Sequence, residues 1–573
     1  MGCHRSLGLA LGAFFLASCA GSSVDTKVAS PPEAEPVAEQ ADAGNIVVTG
    51  SRVPAPQMAK ERSAQYRMAP PPPSPPPPPP AMAAPGLWGP QYHDVGRDKF
   101  TNFAENSFKV VREAPVSTFS IDVDTASYAW VRSSLSQNVL PQPAAVRTEE
   151  MVNYFHYDYA PPKNTSQPFS TNVAVFPSPW AQGRKLVRIG IKGYAVQNAT
   201  RPRANLVFLI DTSGSMNEPN KLPLVQQSLR MLLNELDERD TVAIVTYAGS
   251  AGTALPPTPA SQKQRIMAVI DELGARGSTA GAEGIRQAYQ LAEANYDPKG
   301  VNRVIMATDG DFNVGITDQG ELKGYIERER GKGVFLSVLG FGTGNYNDAL
   351  MQTLAQNGNG VAAYIDTVSE ARKTLVQEAS ANLFTIAKDV KIQVEFNPRA
   401  VAEYRLIGYE TRALNRDDFE NDKVDAGDVG SGQSVTALYE VVPVGGPRTM
   451  DGLRYGDASA GASGAGRSSE LGFVKIRYKL PKSDTSRLIT TPIDQRTAAR
   501  SFDLAPRDAR FAAAVAGFAE LLRGGRYTGS LNYDDVMRMA NASLGTDEYG
   551  YRSEFVKLVQ AAKSARTLAK LEE

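Results

Sequence analysis

A cluster of oxygen-bearing side chains follows directly after a short, mostly apolar stretch at residues 205–210. The first is Asp211, and Ser213 and Ser215 follow at alternate positions. Branched apolar residues at this density are typical of a strand that is buried on both faces. In open α/β sheets the carboxyl ends of the strands bind ligands, because the loops diverge there around a crevice. The spacing therefore predicts a ligand site at residues 211–215.

Two later segments supply matching side chains. Thr279 lies in the loop 277–281 ahead of a helical pattern, and Asp309 ends a second buried-strand pattern at residues 302–308. Three hydroxyls and two carboxylates are hard oxygen donors, which suit Mg²⁺, Mn²⁺ or Ca²⁺ better than zinc or copper. Helix capping by Asp211 and the two serines is the alternative interpretation, but capping explains neither Thr279 nor Asp309.

Together these residues resemble the metal-ion-dependent adhesion site (MIDAS) of von Willebrand factor A (VWA) domains, whose pattern is Asp-x-Ser-x-Ser, then Thr, then Asp. The resemblance implies that Ser213, Ser215 and Thr279 bind the metal directly, while Asp211 and Asp309 act largely through water. It also implies that one coordination position is left for a carboxylate of a protein partner. Since hydroxyl ligands are neutral, we expect the ion to keep a net positive charge toward that acidic partner.

Composition excludes several other classes of function. The chain has 573 residues and a formal net charge of −1, which gives no indication of nucleic-acid binding. Its two cysteines are Cys3 and Cys19, so the folded part has neither a disulfide nor a catalytic thiol. Its three histidines, His4, His93 and His156, all precede the site motif, which disfavours a histidine triad or a zinc hydrolase.

The N-terminus has the pattern of an export signal. Residues 1–18 carry Arg5 and then an apolar run at residues 7–16 that is too short to span a membrane. The sequence Leu-Ala-Ser-Cys at residues 16–19 resembles a bacterial lipobox, which implies cleavage before Cys19 and its lipidation; an ordinary secretory signal is the alternative. A lipid on Cys19 predicts membrane anchoring without a spanning segment. Because Ala20 is not Asp, we expect the outer membrane of a Gram-negative cell envelope, with the leaflet left open.

Residues 19–98 are predicted to be a disordered tether. They are rich in Ala, Pro, Ser and Glu, and residues 69–85 are mostly proline, which spans roughly 50 Å as polyproline II at about 3.1 Å per residue. Binding of the proline tract to an SH3-like module is the alternative. Within the tether, residues 45–52 are similar to a segment near the mature N-terminus of TonB-dependent outer-membrane receptors, which suggests an envelope docking site.

The remaining sequence predicts three folded regions. Residues 203–385 alternate strand and helix as in a doubly wound, Rossmann-like α/β domain that closes with a helix at residues 371–383. Strand patterns lie on both sides, in residues 99–202 and 386–573, so we expect a β-sandwich built from both flanks, followed by C-terminal helices. Asp124 and Thr125 are predicted to cap a helix at residues 126–137; a cation site formed by Asp122 and Asp124 is the alternative.

The phrases at residues 117–128 and 521–529, with the order of the regions, resemble the YfbK-like VWA lipoproteins of Gram-negative bacteria over residues 100–562. The expected function is a lipoprotein that binds a protein partner through its metal, not an enzyme; binding would move the last helix of the VWA domain. One alternative is metal-assisted hydrolysis with Asp311 as the base. The other is an envelope scaffold in which the ion is purely structural.

Overall fold

The structure is a computed structural model that describes residues 100–121, 124–163, 166–197, 200–277, 281–310, 319–342, 346–451 and 469–572. The predicted signal peptide, Cys19, the tether and the segment 45–52 lie outside the described residues. So do Asp122, Thr279 and Asp311.

The central region is an α/β domain with helices on both faces of one six-stranded sheet. Its elements, in chain order, are β5 (Ala204–Asp211), α3 (Leu222–Glu235), β6 (Thr241–Tyr247), β7 (Ala251–Pro259), α4 (Lys263–Glu272), α5 (Gly281–Ala294), β8 (Val301–Thr308), α6 (Gln319–Gly331), β9 (Val334–Phe341), α7 (Asp348–Asn357), β10 (Ala362–Ile365), α8 (Val368–Arg372), a π-helical turn (Lys373–Gln377) and α9 (Ala379–Leu383). The strand order is β10-β9-β8-β5-β6-β7, in which only the edge strand β7 is antiparallel to its neighbour. The order reverses between β5 and β8, which is where doubly wound folds place their ligand crevice.

Alternation along β5 shows why this strand is central. All eight of its residues are buried. Leu206 and Phe208 face the core formed with α3, whereas Val207 and Leu209 face the core formed with α5 and α7. A strand covered on both faces requires this continuous apolar sequence.

Both flanks of the α/β domain build one β-sandwich. The N-terminal flank supplies β1 (Lys109–Val110), β2 (Val116–Ser120), α1 (Ala126–Ser136), α2 (Thr148–Asn153), β3 (Phe169–Pro177) and β4 (Lys185–Gly193). The C-terminal flank supplies β11 (Thr385–Phe396), β12 (Val401–Ile407), β13 (Ala413–Leu414), β14 (Val429–Gly430), β15 (Ser434–Pro443), β16 (Glu470–Lys479) and β17 (Ser486–Asp494). One sheet has the order β1-β12-β15-β4-β3 and the other β13-β2-β11-β16-β17, with β14 paired to β11. Each sheet therefore contains strands from before and after the α/β domain, and a single apolar core joins the two sheets.

The C-terminal helices complete a helical layer. They are α10 (Arg507–Leu522), α11 (Tyr533–Asn541) and α12 (Tyr551–Glu572), and they share one apolar core with α1 and α2 of the N-terminal flank. No helix in the described ranges has the length and apolarity needed to cross a bilayer. The predicted fold class is thus confirmed in its three parts: a doubly wound domain, a sandwich built from both sides and C-terminal helices.

Two local predictions were wrong in detail. The single closing helix expected at residues 371–383 is instead α8, the π-helical turn and α9, because the amide of Glu378 donates to the carbonyl of Lys373, five residues back (2.9 Å). Thr125 occupies the N-cap position of α1, but its side chain makes no capping hydrogen bond. The carboxylate of Asp124 accepts instead from the amide of Ala362 (2.9 Å) and from Arg412 (3.1 Å), so it joins the sandwich to the α/β domain.

Candidate metal centre

The carboxyl ends of β5 and β8 place the two predicted aspartates at the same edge of the sheet. The strands are adjacent and parallel, with Ile210 opposite Ala307. Asp211 ends β5 and Asp309 follows β8, and both side chains are fully buried. Two carboxylates so deeply buried require compensation by cations or hydrogen bonds.

The loop after β5 folds its hydroxyls toward the carboxylate that precedes them. The amide of Ser213 donates to Oδ1 of Asp211 (2.9 Å), and the hydroxyl oxygens of Ser213 and Ser215 lie 3.0 Å apart. The amide of Thr212 donates to the carbonyl of Tyr247 at the end of β6 (2.9 Å), which fixes the loop against the neighbouring strand. Asp211, Ser213 and Ser215 thus form one compact group of oxygen donors.

The residues just before the predicted Thr279 loop are held against this group. The amide of Gly214 donates to the carbonyl of Gly277 (3.0 Å), and the amide of Arg276 donates to the carbonyl of Thr212 (2.7 Å). Gly277 has a φ of +83°, a left-handed conformation that favours glycine at this turn. Thr279 itself lies outside the described residues, so its position relative to the other donors stays a prediction.

Lys221 is a site residue that the sequence reasoning missed. It precedes α3, and its ammonium nitrogen lies 3.1 Å from Oδ2 of Asp309, with both side chains buried. The lysine stem passes closely over Gly342, where an added Cβ would lie 2.4 Å from its Cε. In the sequence, Lys221 is marked only by its position just before a helix that starts Leu-Pro. A lysine at such a position is usually exposed to solvent, so this pattern did not indicate a site residue.

The pKa shifts reflect this buried setting. Burial raises the pKa of Asp211 to about 6, hydrogen bonds from Ser213 oppose the rise, and the charge of Asp309 adds to it. Burial also raises the pKa of the Tyr247 hydroxyl well above its usual value, and the charge of Asp211 contributes to this shift. The site is therefore short of positive charge around Asp211.

The described donor set fits a hard divalent cation. It comprises two serine hydroxyls and two carboxylates, the oxygen ligands that Mg²⁺, Mn²⁺ and Ca²⁺ prefer. No group of three or more His, Cys, Asp or Glu side chains suited to a metal occurs in the part of the chain that the structure describes. A cation bound here would therefore depend on hydroxyl ligands, unlike the ion of a zinc site.

Comparisons with known proteins place these features in context. Three sequence families match: von Willebrand factor type A domain at residues 205–378, von Willebrand factor at residues 94–188, and the C-terminal region of the uncharacterized protein YfbK at residues 381–565. The uncharacterized protein YfbK of Escherichia coli (strain K12) is 44% identical over 473 residues, which cover 82% of this chain and 81% of the relative.

Two further proteins are similar over less of the chain. Inter-alpha-trypsin inhibitor heavy chain H4 of Homo sapiens is 27% identical over 221 residues, which cover 37% of this chain and 23% of that protein. Among solved structures, von Willebrand factor type A from Catenulispora acidiphila is 16% identical with a TM-score of 0.38, covering 67% of this chain and 89% of that one.

Proposed function

Since the chain belongs to the YfbK family of VWA-domain proteins, we propose that it binds a protein partner through a divalent cation, Mg²⁺ or else Mn²⁺ or Ca²⁺. Asp211, Ser213, Ser215, Thr279 and Asp309 are the residues that would hold the ion. The observation that carries this proposal is the convergence of the Asp-x-Ser-x-Ser loop and Asp309 at the switch point between β5 and β8.

Each described residue has a distinct part in holding the ion. Ser213 and Ser215 present their hydroxyl oxygens side by side (3.0 Å apart), as two ligands of one small cation require. Asp211 accepts the amide of Ser213 and so orients the loop, while its charge favours a cation nearby. The bound ion would supply a positively charged docking point for a carboxylate.

The charge of Lys221 supports the proposal that the partner is acidic. Its ammonium group offsets the charge of Asp309, which leaves a net charge of −1 on the described site residues Asp211, Asp309 and Lys221. A divalent cation would change that charge to +1. Because this excess is buried in a crevice, it would attract an Asp or Glu side chain more strongly than in water.

The cell envelope is the proposed location of this interaction. The pattern Leu-Ala-Ser-Cys at residues 16–19 supports lipidation of Cys19, and the proline-rich residues 69–85 support a tether between the lipid and the folded domains. An outer-membrane anchor would place the metal-binding edge within reach of other envelope proteins. Mass spectrometry of the mature N-terminus tests this location: a diacylglyceryl group on Cys19 supports it, and an unmodified Cys19 contradicts it.

We propose a binding rather than a catalytic role. The described donor set provides cation ligands and a charge-balancing lysine, which is sufficient for recognition of a carboxylate. Metal-assisted hydrolysis would further need a general base beside a bound water. Asp311, the only base suggested for that step, lies outside the described residues.

Capture of partners by the whole lipoprotein in detergent tests the proposal. Wild type and Asp211→Ala are compared with Mg²⁺ and with EDTA, and Asp271→Ala, which changes an exposed aspartate on α4, is the matched control. We expect an envelope protein to be retained by wild type and by the control only with Mg²⁺, and not by Asp211→Ala. Retention of the same proteins in every condition would contradict metal-mediated binding.

The same samples separate the two alternatives. If the ion were purely structural, EDTA would lower the melting temperature of wild type while leaving capture unchanged. Any ion bound to the native state raises stability, so only the capture assay distinguishes these cases. Hydrolysis of peptidoglycan or an ester by wild type that is lost in Asp211→Ala would instead support the enzymatic alternative.

A further inference from the structure

A polar cleft of about 420 Å³ lies between the α/β domain and the β-sandwich. One wall is formed by Arg303 on β8 with Gln356 and Asn357 at the end of α7, and the other by Asp425 and Asp428 in the segment between β13 and β14. Arg303 is the third residue of β8, whereas Asp309 follows the last, so the cleft lies about 20 Å from the candidate metal centre at a rise of about 3.3 Å per residue. The cleft is therefore separate from the site already described.

Arg303 is a buried cation without a matching anion. Its side chain is 3% exposed, and its Nη1 donates to the hydroxyl of Ser337 (2.7 Å). Among the described residues Arg303 forms no ion pair, and its Nε has no hydrogen-bond partner. Burial lowers the pKa of the guanidinium to about 10, and the charge of Asp428 partly opposes that effect. A guanidinium in this condition favours an anion with oxygen atoms in its plane.

Asp428 is the complementary group on the facing wall. Its Oδ1 accepts from the amide of Asp389 at 3.4 Å, while its Oδ2 is buried and has no partner among the described residues. Burial raises the pKa of Asp428 to about 8, and the charges of Asp389 and Asp425 add to the rise. Those two neighbours have cations of their own, since Lys479 pairs with Asp389 and Arg330 pairs with Asp425. Asp428 would gain most from a cation that enters the cleft.

We propose that this cleft binds a small zwitterion of the amino-acid type, with its carboxylate on Arg303 and its ammonium group on Asp428. The volume of about 420 Å³ leaves room for a side chain or a second residue beyond the two charged groups. Carboxamide side chains at Gln356, Asn357 and Asn382 provide both donors and acceptors for the rest of the ligand.

The charges of the cleft disfavour the simpler ligands. Lys323 and Arg412 also line the cleft, but Lys323 pairs with Glu327 and Arg412 pairs with Asp124. A multivalent anion such as phosphate would therefore depend mainly on Arg303, and it would also face Asp425 and Asp428. A divalent cation would meet the aspartates, but it would lie near the guanidinium of Arg303, whose charge interacts with that of Asp428. Only a ligand with both charges satisfies the two walls together.

Titration calorimetry on the whole chain tests the proposal with defined probes. The probes are free L- and D-amino acids, dipeptides with free ends, and the N-acetylated forms of both at millimolar concentration. We expect at least one probe with a free amine and a free carboxylate to bind, and acetylation to weaken it at least tenfold. Free amino acids and dipeptides form separate arms, which distinguish a metabolite from a peptide end as the source.

Variants identify the binding groups. Arg303→Met and Asp428→Asn are each expected to weaken binding at least tenfold, and Arg303→Lys, which keeps the charge without the planar fork, is expected to be intermediate. Arg286→Met, at an exposed arginine on α5 outside the cleft, is the matched control and keeps full affinity.

Three outcomes would overturn the proposal. The first is that no probe binds wild type. The second is equal binding of acetylated and free probes, which would indicate an anion site. The third is undiminished binding by Arg303→Lys and Asp428→Asn, which keeps the test decisive even where Arg303→Met fails to fold.

Discussion

The ammonium group of Lys221 lies 3.1 Å from a carboxylate oxygen of Asp309, although the two residues are 88 positions apart in the chain. Both side chains are buried, with exposures of 5% and 0%. This pair places a permanent positive charge beside the donors that are proposed to hold a divalent cation. Its energetic coupling to that cation leads to the first prediction.

Lys221→Met is expected to lower the free energy of unfolding by about 3 kcal/mol without metal, because it removes one partner of a buried ion pair. Mg²⁺ should restore part of this loss, since the ion supplies positive charge beside Asp309. The increase in melting temperature on adding Mg²⁺ is therefore expected to be larger in Lys221→Met than in wild type.

Lys373→Met is the matched control for this experiment. Lys373 is also a buried lysine, but its partner is Glu378, the residue after the π-helical turn, and not a residue of the candidate metal centre. Lys373→Met should also have a lower free energy of unfolding than wild type, but Mg²⁺ should not restore this loss. Equal Mg²⁺-induced shifts in wild type and Lys221→Met would show that Lys221 and the ion are not coupled.

Arg132→Met is expected to destabilise the contact between all three regions by about 3 kcal/mol. The guanidinium of Arg132 on α1 pairs with Asp366 and with Glu370 on α8 (2.7 Å), and with Glu554 on α12 (3.0 Å). Arg132→Lys should recover little, because an ammonium group cannot reproduce the planar fork. Urea unfolding measures the change.

Arg538→Met provides the comparison for Arg132, since its pair with Asp535 is largely exposed. Its effect on the free energy of unfolding should be below about 1 kcal/mol. Similar losses for the two variants would mean that the Arg132 contacts contribute no more than a surface pair.

A buried carboxyl on α2 is expected to make stability depend on pH. Burial raises the pKa of Glu149 to about 7, with further contributions from Glu410 and Glu150, and its Oε2 has no hydrogen-bond partner among the described residues. The folded state therefore holds a proton that the unfolded state releases near pH 4.5. Stability from this group is complete below that pH and falls as the pH rises to about 7, by on the order of 3 kcal/mol.

Glu149→Gln tests this dependence because the amide mimics the protonated acid. The variant should match wild type near pH 4.5, exceed its stability above pH 7, and show a flatter profile between them. Glu238→Gln, at an exposed position after α3, should leave the wild-type profile unchanged. A profile for Glu149→Gln that parallels wild type would contradict the expected proton uptake.

The aromatic core of the helical layer provides the last prediction. The ring of Phe555 on α12 packs edge-on against Phe155, Phe511 and Phe518 at centroid distances of 5.6, 5.6 and 5.4 Å. Phe555→Ala should lower the free energy of unfolding by about 4 kcal/mol because a large cavity remains. Phe555→Leu should lower the free energy of unfolding by less than half of that amount. If Phe555→Ala lost no more than Phe555→Leu, the core would be shown to collapse around the cavity.

The parts of the fold that could be predicted from sequence are those with strong local patterns. β5 is apolar at nearly every position, so its burial could be predicted, and the position of the candidate site directly after it followed from that. α6 was missed because only Leu322 and Ile326 on it belong to the core, and charged residues dominate the rest. β17 was missed because it is an edge strand whose residues are almost all exposed or half-exposed, which weakens the alternation.

In the candidate metal centre, too, only the residues that are close together in the sequence could be predicted from a local pattern. Asp211, Ser213 and Ser215 lie within five residues, so their spacing alone indicated the site. Lys221 joins the site only through a contact with Asp309 across the switch point, which no local pattern records. The cleft residues Arg303 and Asp428 were missed for a similar reason, since they come from different regions of the chain.

The shared β-sandwich has a consequence for the order in which the protein is made. Lys192 on β4 pairs with Ser434 on β15, and their side chains bond across 242 positions (3.0 Å). These 242 positions emerge in chain order, whether the chain leaves the ribosome or crosses a membrane, so β4 is exposed for an interval before its partner strand follows. The strands and helices of the α/β domain all emerge during that interval, so this domain can fold while one edge of β4 is still unpaired. Such an edge is a template for mispairing, and a nascent chain therefore depends on protection of this strand until β15 arrives.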